Sequence, residues 1–385
     1  MHVLMISFDP SLATDGEAKR RHIAYAELAG QLTIVTHTHR GSGGAFSPAP
    51  CLTIVPSNSR HKSTFPLDAY RLALSHARHA DLVTTQDMLL TGLVGVWLRR
   101  HLRVPLLVQN HTYVFGNQTW LAEHPLRNRL LLGLADYVIH RADMVRTVNR
   151  KERDNAINMG FAPERVVSLP LATASARFAD PIPDAVLSEH RAALGLTPEH
   201  KVVLWVGYPI AAKRVPLLFK VFRRVLDQEP NARLVLIGDM RRSQQDLHAV
   251  AQAENVADSV IMYGPVPHDA LPAYYALGDV YVHTSSYEGV PRVLFEASAA
   301  GLPLVGMNAV GVDEVVEDGL NGYLVPDGDV EGMAGRIVEL LRQPERARSF
   351  GLAARQRALE RFNADDYAEK WTNIWRQAVE LGLRR

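Results

Sequence analysis

"KVVLWVGYPIAAKRVPLLFKVFRRV", Lys201–Val225, decides the fold class. A short apolar run ends at Gly207, a loop follows, and a candidate helix then runs to about Glu229. Apolar runs of this length between helical patterns read as βαβ units of a parallel sheet. The pattern continues downstream in "ARLVLIGD", "SVIMYGPV", "DVYVHTS" and "PLVGMNA". Upstream the same grammar appears in "HVLMISF", "LTIVTHT", "CLTIVPS", "DLVTTQ", "PLLVQNH", "DMVRTVN" and "RVVSLP". Helix candidates there cover Glu17–Ala29, Pro66–Ala80 and Leu89–Leu102. The stretch Ala179–His200 separates the two series and shows no strand pattern. The expected division is therefore an N-terminal Rossmann-like domain over 1–178, a linker over 179–200 and a C-terminal Rossmann-like domain over 201–361. The segment 362–385 is expected to form a helix that packs back toward the N-terminal domain. Two doubly wound α/β domains facing each other across a cleft would place ligands beyond the carboxyl ends of their strands.

The bulk numbers narrow the class. With 385 residues, 47% hydrophobic and 22% charged, the chain has an ordinary globular composition. One cysteine, Cys51, rules out an internal disulfide framework and argues against a cysteine-based zinc site. The start "MHVLMISFDP" has no basic leader, and no apolar run reaches about 18 residues, so neither a signal peptide nor a spanning helix is expected. A cytoplasmic protein fits these features. Net charge is +1, yet residues 1–180 hold 20 Lys and Arg against 14 Asp and Glu, while the remainder holds 22 against 27. A basic first half suits an anionic surface or acceptor, and clusters at Arg99, Arg100, Arg103 and at Arg127, Arg129 lead to an expectation of peripheral membrane contact. No nucleic-acid partner is expected.

The loops after the strands carry the candidate chemistry. Lys213 and Arg214 open a helix, where two cations oppose the macrodipole by about 0.3–1 kcal/mol each. An anion held between them and the helix amides resolves that conflict, and side chains turned to solvent would do so as well. In "SSYEGVPRVLFEASAAGLP", Ser285–Pro303, Gly289 and Pro291 fit a tight turn with proline at the first helical turn. Amides near Val290 to Leu294 then form a second anion site. Glu296 lies among Leu294, Phe295 and Ala297, so its carboxylate needs donors. Sugar hydroxyls or a structural arginine would each serve. His111 follows "PLLVQN" at a sheet rim, and Gly16, after Asp15, allows close approach to the backbone before the first long helix. No G-x-G-x-x-G, P-loop or H-E-x-x-H signature is present.

These residues resemble the retaining GT-B glycosyltransferases of family 4. Their hallmark is a glutamate pair with seven residues between, here "EGVPRVLFE", Glu288–Glu296. The continuation "EASAAGLPLVGMNAVGVDEVVEDGLNGYLVPDGD" resembles the tail that follows in that family. The resemblance implies transfer of a sugar from a nucleotide diphosphate sugar to an acceptor hydroxyl, with no metal and no cofactor required. The acceptor would be a sugar, a lipid-linked glycan or a small molecule. The resemblance assigns Glu296 to the ribose hydroxyls and Glu288 to the transferred sugar. It assigns Gly289, Val290, Pro291, Arg292 and Val293 to the sugar and diphosphate, Gly264 to the base, and His111 and Gly16 to the sugar and phosphates. Lys213 is retained from the family pattern; Tyr208 stands where an arginine is usual and Arg214 where a glycine is usual. On that reading Glu288, His111 and Lys213 are the catalytic candidates. A GT-B-fold epimerase or hydrolase, or a non-catalytic sugar-nucleotide binder, is the alternative.

Overall fold

The computed structural model describes residues 1–14, 16–111, 113–170, 175–243, 245–361 and 366–383. They form two compact units, one of Met1–Pro170 with Asp365–Arg385 and one of Leu171–Ala364.

In the first unit β1 (His2–Ser7), β2 (Gln31–Thr36), β3 (Phe46–Ala49), β4 (Leu52–Pro56), β5 (Leu82–Thr85), β6 (Leu106–Asn110), β7 (Met144–Thr147) and β8 (Val166–Ser168) lie in the order β3-β4-β2-β1-β5-β6-β7-β8. Every pair is parallel except β3 with β4. Parallel strands sit between helices and are buried on both faces, which explains the unbroken apolar runs. Strand β3 breaks the pattern. Its sequence "FSPA" contains a proline, which an edge strand tolerates and sequence patterning passes over. The helices are α1 (Glu17–Ala29), α2 (Phe65–His76), α3 (Leu90–Leu102), α4 (Gln118–Glu123), α5 (Pro125–Ile139) and α6 (Arg150–Asn158).

The first α-helix of the second unit is α7 (Asp184–Ala193), inside the stretch expected to be a linker. That stretch belongs to this unit because it has a packing partner: the His190 ring meets Tyr274 edge-on at 4.8 Å. The two units divide at 170. Strands β9 (Lys201–Val206), β10 (Ala232–Ile237), β11 (Val260–Tyr263), β12 (Val280–His283), β13 (Leu304–Met307) and β14 (Gly322–Val325) form one parallel sheet in the order β11-β10-β9-β12-β13-β14. Side chains of β9 alternate between two cores. Val203 and Trp205 pack with α8 (Val215–Leu226), while Val202, Leu204 and Val206 pack with Tyr275, Tyr281 and Phe295. The remaining helices are α9 (Leu247–Ala253), α10 (Leu271–Tyr275), α11 (Arg292–Ala299), α12 (Val330–Arg342) and α13 (Pro344–Arg361). The chain then returns to the first unit as α14 (Tyr367–Leu383), which packs on α1.

The strand order reverses between β9 and β12, with β10 and β11 to one side and β13 and β14 to the other. Ligands in open α/β sheets bind beyond the carboxyl ends of the strands at such a point. The loops that follow β9 and β12 are those holding Lys213 and Glu288.

Candidate functional site

Backbone geometry first shapes a hollow at the ends of β9 and β10. Gly207 and Gly238 have φ of 156° and 149°, and a Cβ on Gly238 would run into the Gly207 carbonyl oxygen. Only glycine allows the two strand ends to approach this closely. Beside them lies a cavity of about 310 Å³. Ile237, Asp239, Pro265, Val266, His268 and Leu271 line it on one side, with Tyr208, Arg292, Val293 and Glu296 completing the wall.

Glu296 is 4% exposed on the second turn of α11. Its carboxylate accepts hydrogen bonds from His268 Nε2 at 3.0 Å and from the Tyr275 hydroxyl at 2.9 Å. These donors offset the cost of burying the carboxylate. Burial, with Glu296 beside it, pushes the Tyr275 hydroxyl well above the usual phenol value, so the hydroxyl stays a donor. A histidine and a tyrosine thus hold Glu296.

Glu288 sits in the loop after β12. Lys213 Nζ donates to its Oε1, the Ser285 hydroxyl donates to the same atom at 2.8 Å, and His283 Nε2 lies 3.4 Å away. Burial alone would raise this carboxyl, but His283 and Lys213 outweigh it and hold it at about 2. Glu288 is therefore an anion at any physiological pH. Two further bonds tie the two loops together: Thr284 Oγ1 donates to the Lys213 carbonyl at 2.8 Å, and the Ser286 amide donates to Ala212 at 2.9 Å. The Glu288 amide donates to Val310, and Gly311, at φ 88°, is the residue whose missing Cβ lets this strand-end turn close against Gly289.

Arg214 differs from expectation. It stands in the left-handed region (φ 50°) before α8, and its guanidinium donates to the Thr284 carbonyl at 2.7 Å, the Ser285 carbonyl at 3.2 Å and Asp327. This residue staples the glutamate loop rather than turning its donors to an anion. Gly289, Val290 and Pro291 form the turn before α11, and no side chain caps that helix. Gly264 is next to the lining residues Pro265 and Val266 and has open space around its Cα.

Two candidates belong to the first unit. His111 follows β6 and is half-buried. Gln109 Oε1 lies 3.0 Å from its Nε2, and Arg146 Nη1 lies 3.5 Å from its Nδ1. Burial, then Arg146 and Arg21, press its pKa down to about 3, so the ring is neutral. Gly16 precedes α1 in extended backbone (φ 168°), with no atom within 4 Å of where a Cβ would stand. Its backbone is open to a ligand, but its conformation does not demand glycine. Asp15 lies outside the described residues. Reading the sequence missed His268, Tyr275, His283 and Ser285. Of these, His283 had a signal, a polar residue at the carboxyl end of an apolar strand; the others hold the glutamates from positions without a local pattern.

Two largely parallel α/β sheets, with one glutamate in the loop after β12 and another on α11, belong to a sugar-transferring enzyme of GT-B fold. The family described as glycosyl transferases group 1 matches residues 188–357, and a glycosyl transferase 4-like domain matches 23–172. The chain belongs to the GT-B glycosyltransferases of family 4. It is 28% identical over 322 residues to a D-inositol 3-phosphate glycosyltransferase of Segniliparus rotundus, covering 82% of this chain and 68% of the relative. Its fold matches sucrose-phosphate synthase of Thermosynechococcus elongatus with a TM-score of 0.80 at 22% identity, over 98% of each chain. It also matches Anabaena HepE, solved with UDP, with a TM-score of 0.75 at 19% identity, over 97% of this chain and 99% of that one.

Proposed function

We infer that the protein moves a sugar, most simply a hexose, from a nucleotide diphosphate sugar to an acceptor hydroxyl with retention at the anomeric carbon. The observation that carries this reading is Glu296: a buried carboxylate, fixed by His268 and Tyr275, in the wall of a cavity large enough for a nucleoside. An acceptor-only group at that place suits a vicinal diol, which offers two donors at once. Apolar Val266, Leu271 and Val293 suit a base and the ribose carbons. The leaving diphosphate would face the N-terminus of α11 and Lys213, which would stabilise developing negative charge without a metal. Glu288 stands one loop away and would contact the transferred sugar. On this reading its ion pair with Lys213 would put a cation and an anion together at the point where the glycosidic bond breaks. His111 and Gly16 are the first unit's candidates for the sugar and phosphates.

The comparison proteins support this donor class. Anabaena HepE was solved with UDP, and the Segniliparus rotundus relative is named for a phosphorylated cyclitol acceptor. A sugar, a lipid-linked glycan or a small polyol phosphate is the acceptor class we propose, reached by a cytoplasmic protein with peripheral membrane contact.

A thermal-shift panel of nucleotides and nucleotide sugars tests the donor. A ligand at 100 times its Kd should add about 2.7 kcal/mol of stability. Product analysis with the stabilising donor then tests the reaction. Transfer to a second molecule, undiminished by a chelator, is expected. An epimer, free sugar from every acceptor tried, or binding without turnover would replace this reading with the epimerase, hydrolase or binding protein.

A further inference from the structure

The nucleotide cavity has a cation that neither the glutamate pair nor the family pattern assigns. Lys213 is already paired with Glu288, and the Arg214 guanidinium is bound to the loop carbonyls and Asp327. At the mouth of the cavity Tyr208 is 51% exposed, and the Arg242 guanidinium lies over its ring, 4.1 Å from the centroid. Arg242 ends the short turn Met240–Arg242 that follows Asp239, itself a lining residue. The Asp239 carboxylate is occupied bidentately by Arg241, at 2.7 and 3.1 Å, and lies 3.8 Å from Arg242.

Stacking and hydrogen bonding use different parts of a guanidinium. A ring below takes up the flat face and leaves the in-plane N–H donors for an oxyanion. Arg214 is the opposite case, with its edge spent on protein acceptors. Among the described residues the Arg242 edge makes no side-chain hydrogen bond. We propose that Arg242, seated on Tyr208, is a ligand for the donor's phosphates and sets the preference of this site for nucleoside diphosphate over nucleoside. The proposal rests on the nucleotide-sugar reading of the cavity. It also accounts for the tyrosine after Gly207, since Tyr208 carries no charge but holds one.

Calorimetry on the full chain with UDP, GDP, uridine, guanosine and inorganic phosphate tests it. With the better-bound diphosphate, Arg242→Gln should lose about tenfold in affinity. The matching nucleoside should change less than about twofold, since a charge-assisted bond to phosphate is absent from it. The loss should shrink in high salt, where exposed charges are screened. Tyr208→Ala should lose part of the diphosphate affinity, and Tyr208→Phe, which keeps the ring, should lose less of it than Tyr208→Ala. The double variant Tyr208→Arg, Arg242→Gln moves the charge one step inward and should recover most of the loss. Equal losses for diphosphate and nucleoside, or full diphosphate affinity in Arg242→Gln, overturn the proposal while leaving the nucleotide site standing. Phosphate bound as tightly as the diphosphate would overturn it too, as a general anion site. If the unaltered protein binds neither diphosphate, the reading of the cavity falls and this inference with it.

Discussion

Glu288 and Glu296 have seven residues between them and opposite environments. Glu296 is held by a histidine and a tyrosine and faces a largely apolar hollow; Glu288 is held by a lysine and kept ionised to about pH 2. Different partners imply separable duties. Glu296→Gln keeps the volume but gives up a charge-assisted acceptor worth roughly 1.5–3 kcal/mol, so nucleoside diphosphate should bind about tenfold to a hundredfold more weakly. Glu288→Gln should leave that affinity nearly unchanged and slow transfer sharply, because its sugar partner exists only in the full donor. Calorimetry beside a transfer assay reads both effects; normal turnover by Glu288→Gln, or equal loss of diphosphate by both variants, sinks the division. The sequence carried the pair itself through spacing, glycines and proline. It did not carry the pair's partners, because His268, Tyr275 and Ser285 reach the glutamates through the tertiary fold. Arg214 shows the same limit from the other side. Its place before a helix suggested a phosphate ligand, but only the folded loop reveals carbonyls within its reach.

At the scale of single elements, the strands were legible wherever both faces are buried. The runs behind β1, β2, β4 to β8 and β9 to β13 stand out as apolar; β3 does not, being a short edge strand with a proline. Helix α7 was hidden by prolines at 181 and 183 that read as linker and in fact precede its first turn. Two elements carry predictions. Glu152, near the start of α6 and 1% exposed, accepts hydrogen bonds from Asn155 at 2.9 Å and from Asn110, and Asn155 also donates to Phe115. Burial outweighs those donors and raises its carboxyl from 4.5 to about 7. The folded protein thus binds more protons than the unfolded chain between those values, so this residue's contribution to stability falls as pH rises through that window. Glu152→Gln keeps the shape and removes the titration. Urea unfolding should show the variant gaining on the unaltered protein between pH 5 and pH 8, and parallel stabilities across that range would refute the assignment. Helix α5 presents Leu126 and Leu130, 80% and 78% exposed, and Tyr137 on one face, with Arg127 and Arg129 exposed beside them. Arg141 lies over the Tyr137 ring at 3.7 Å. An apolar stripe edged by arginines suits an anionic bilayer surface. By contrast Arg99, in the other basic cluster, is bound bidentately by Asp143 and is withdrawn from that role. Co-sedimentation with anionic vesicles should fall with salt and vanish in the Leu126→Asp, Leu130→Asp double variant. A protein that ignores such vesicles at low salt would point to a soluble acceptor instead.

Over the whole molecule the charge asymmetry follows the units. The first unit holds 23 Lys and Arg against 17 Asp and Glu, a balance of +6; the second holds 19 against 24, a balance of −5. The basic excess and the cavity beside Glu296 are thus carried by separate units, yet the chain is not divided so simply, because α14 returns to the first. Trp375 is fully buried there, edge-on to Tyr25 with ring centroids 6.1 Å apart, and Trp371 is 3% exposed beside it. Arg146, buried in β7, donates to the Tyr367 hydroxyl at 2.9 Å and lies 5.1 Å from the Trp371 ring centroid. Gly382 lies against Pro105 where a Cβ would not fit. The last helix is therefore part of the first unit's core, although the whole second unit precedes it in the chain. Trp375→Ala should cost about 3–5 kcal/mol, as truncating a buried aromatic does. That loss should fall on the first unit alone. In denaturant, the transition of the first unit should move to lower concentration, while nucleoside diphosphate still binds the second unit with unchanged affinity. Following vesicle binding and diphosphate binding through the same titration separates the two bodies. If both activities fail together at the lower concentration, the units unfold as one and α14 anchors the whole molecule rather than half of it.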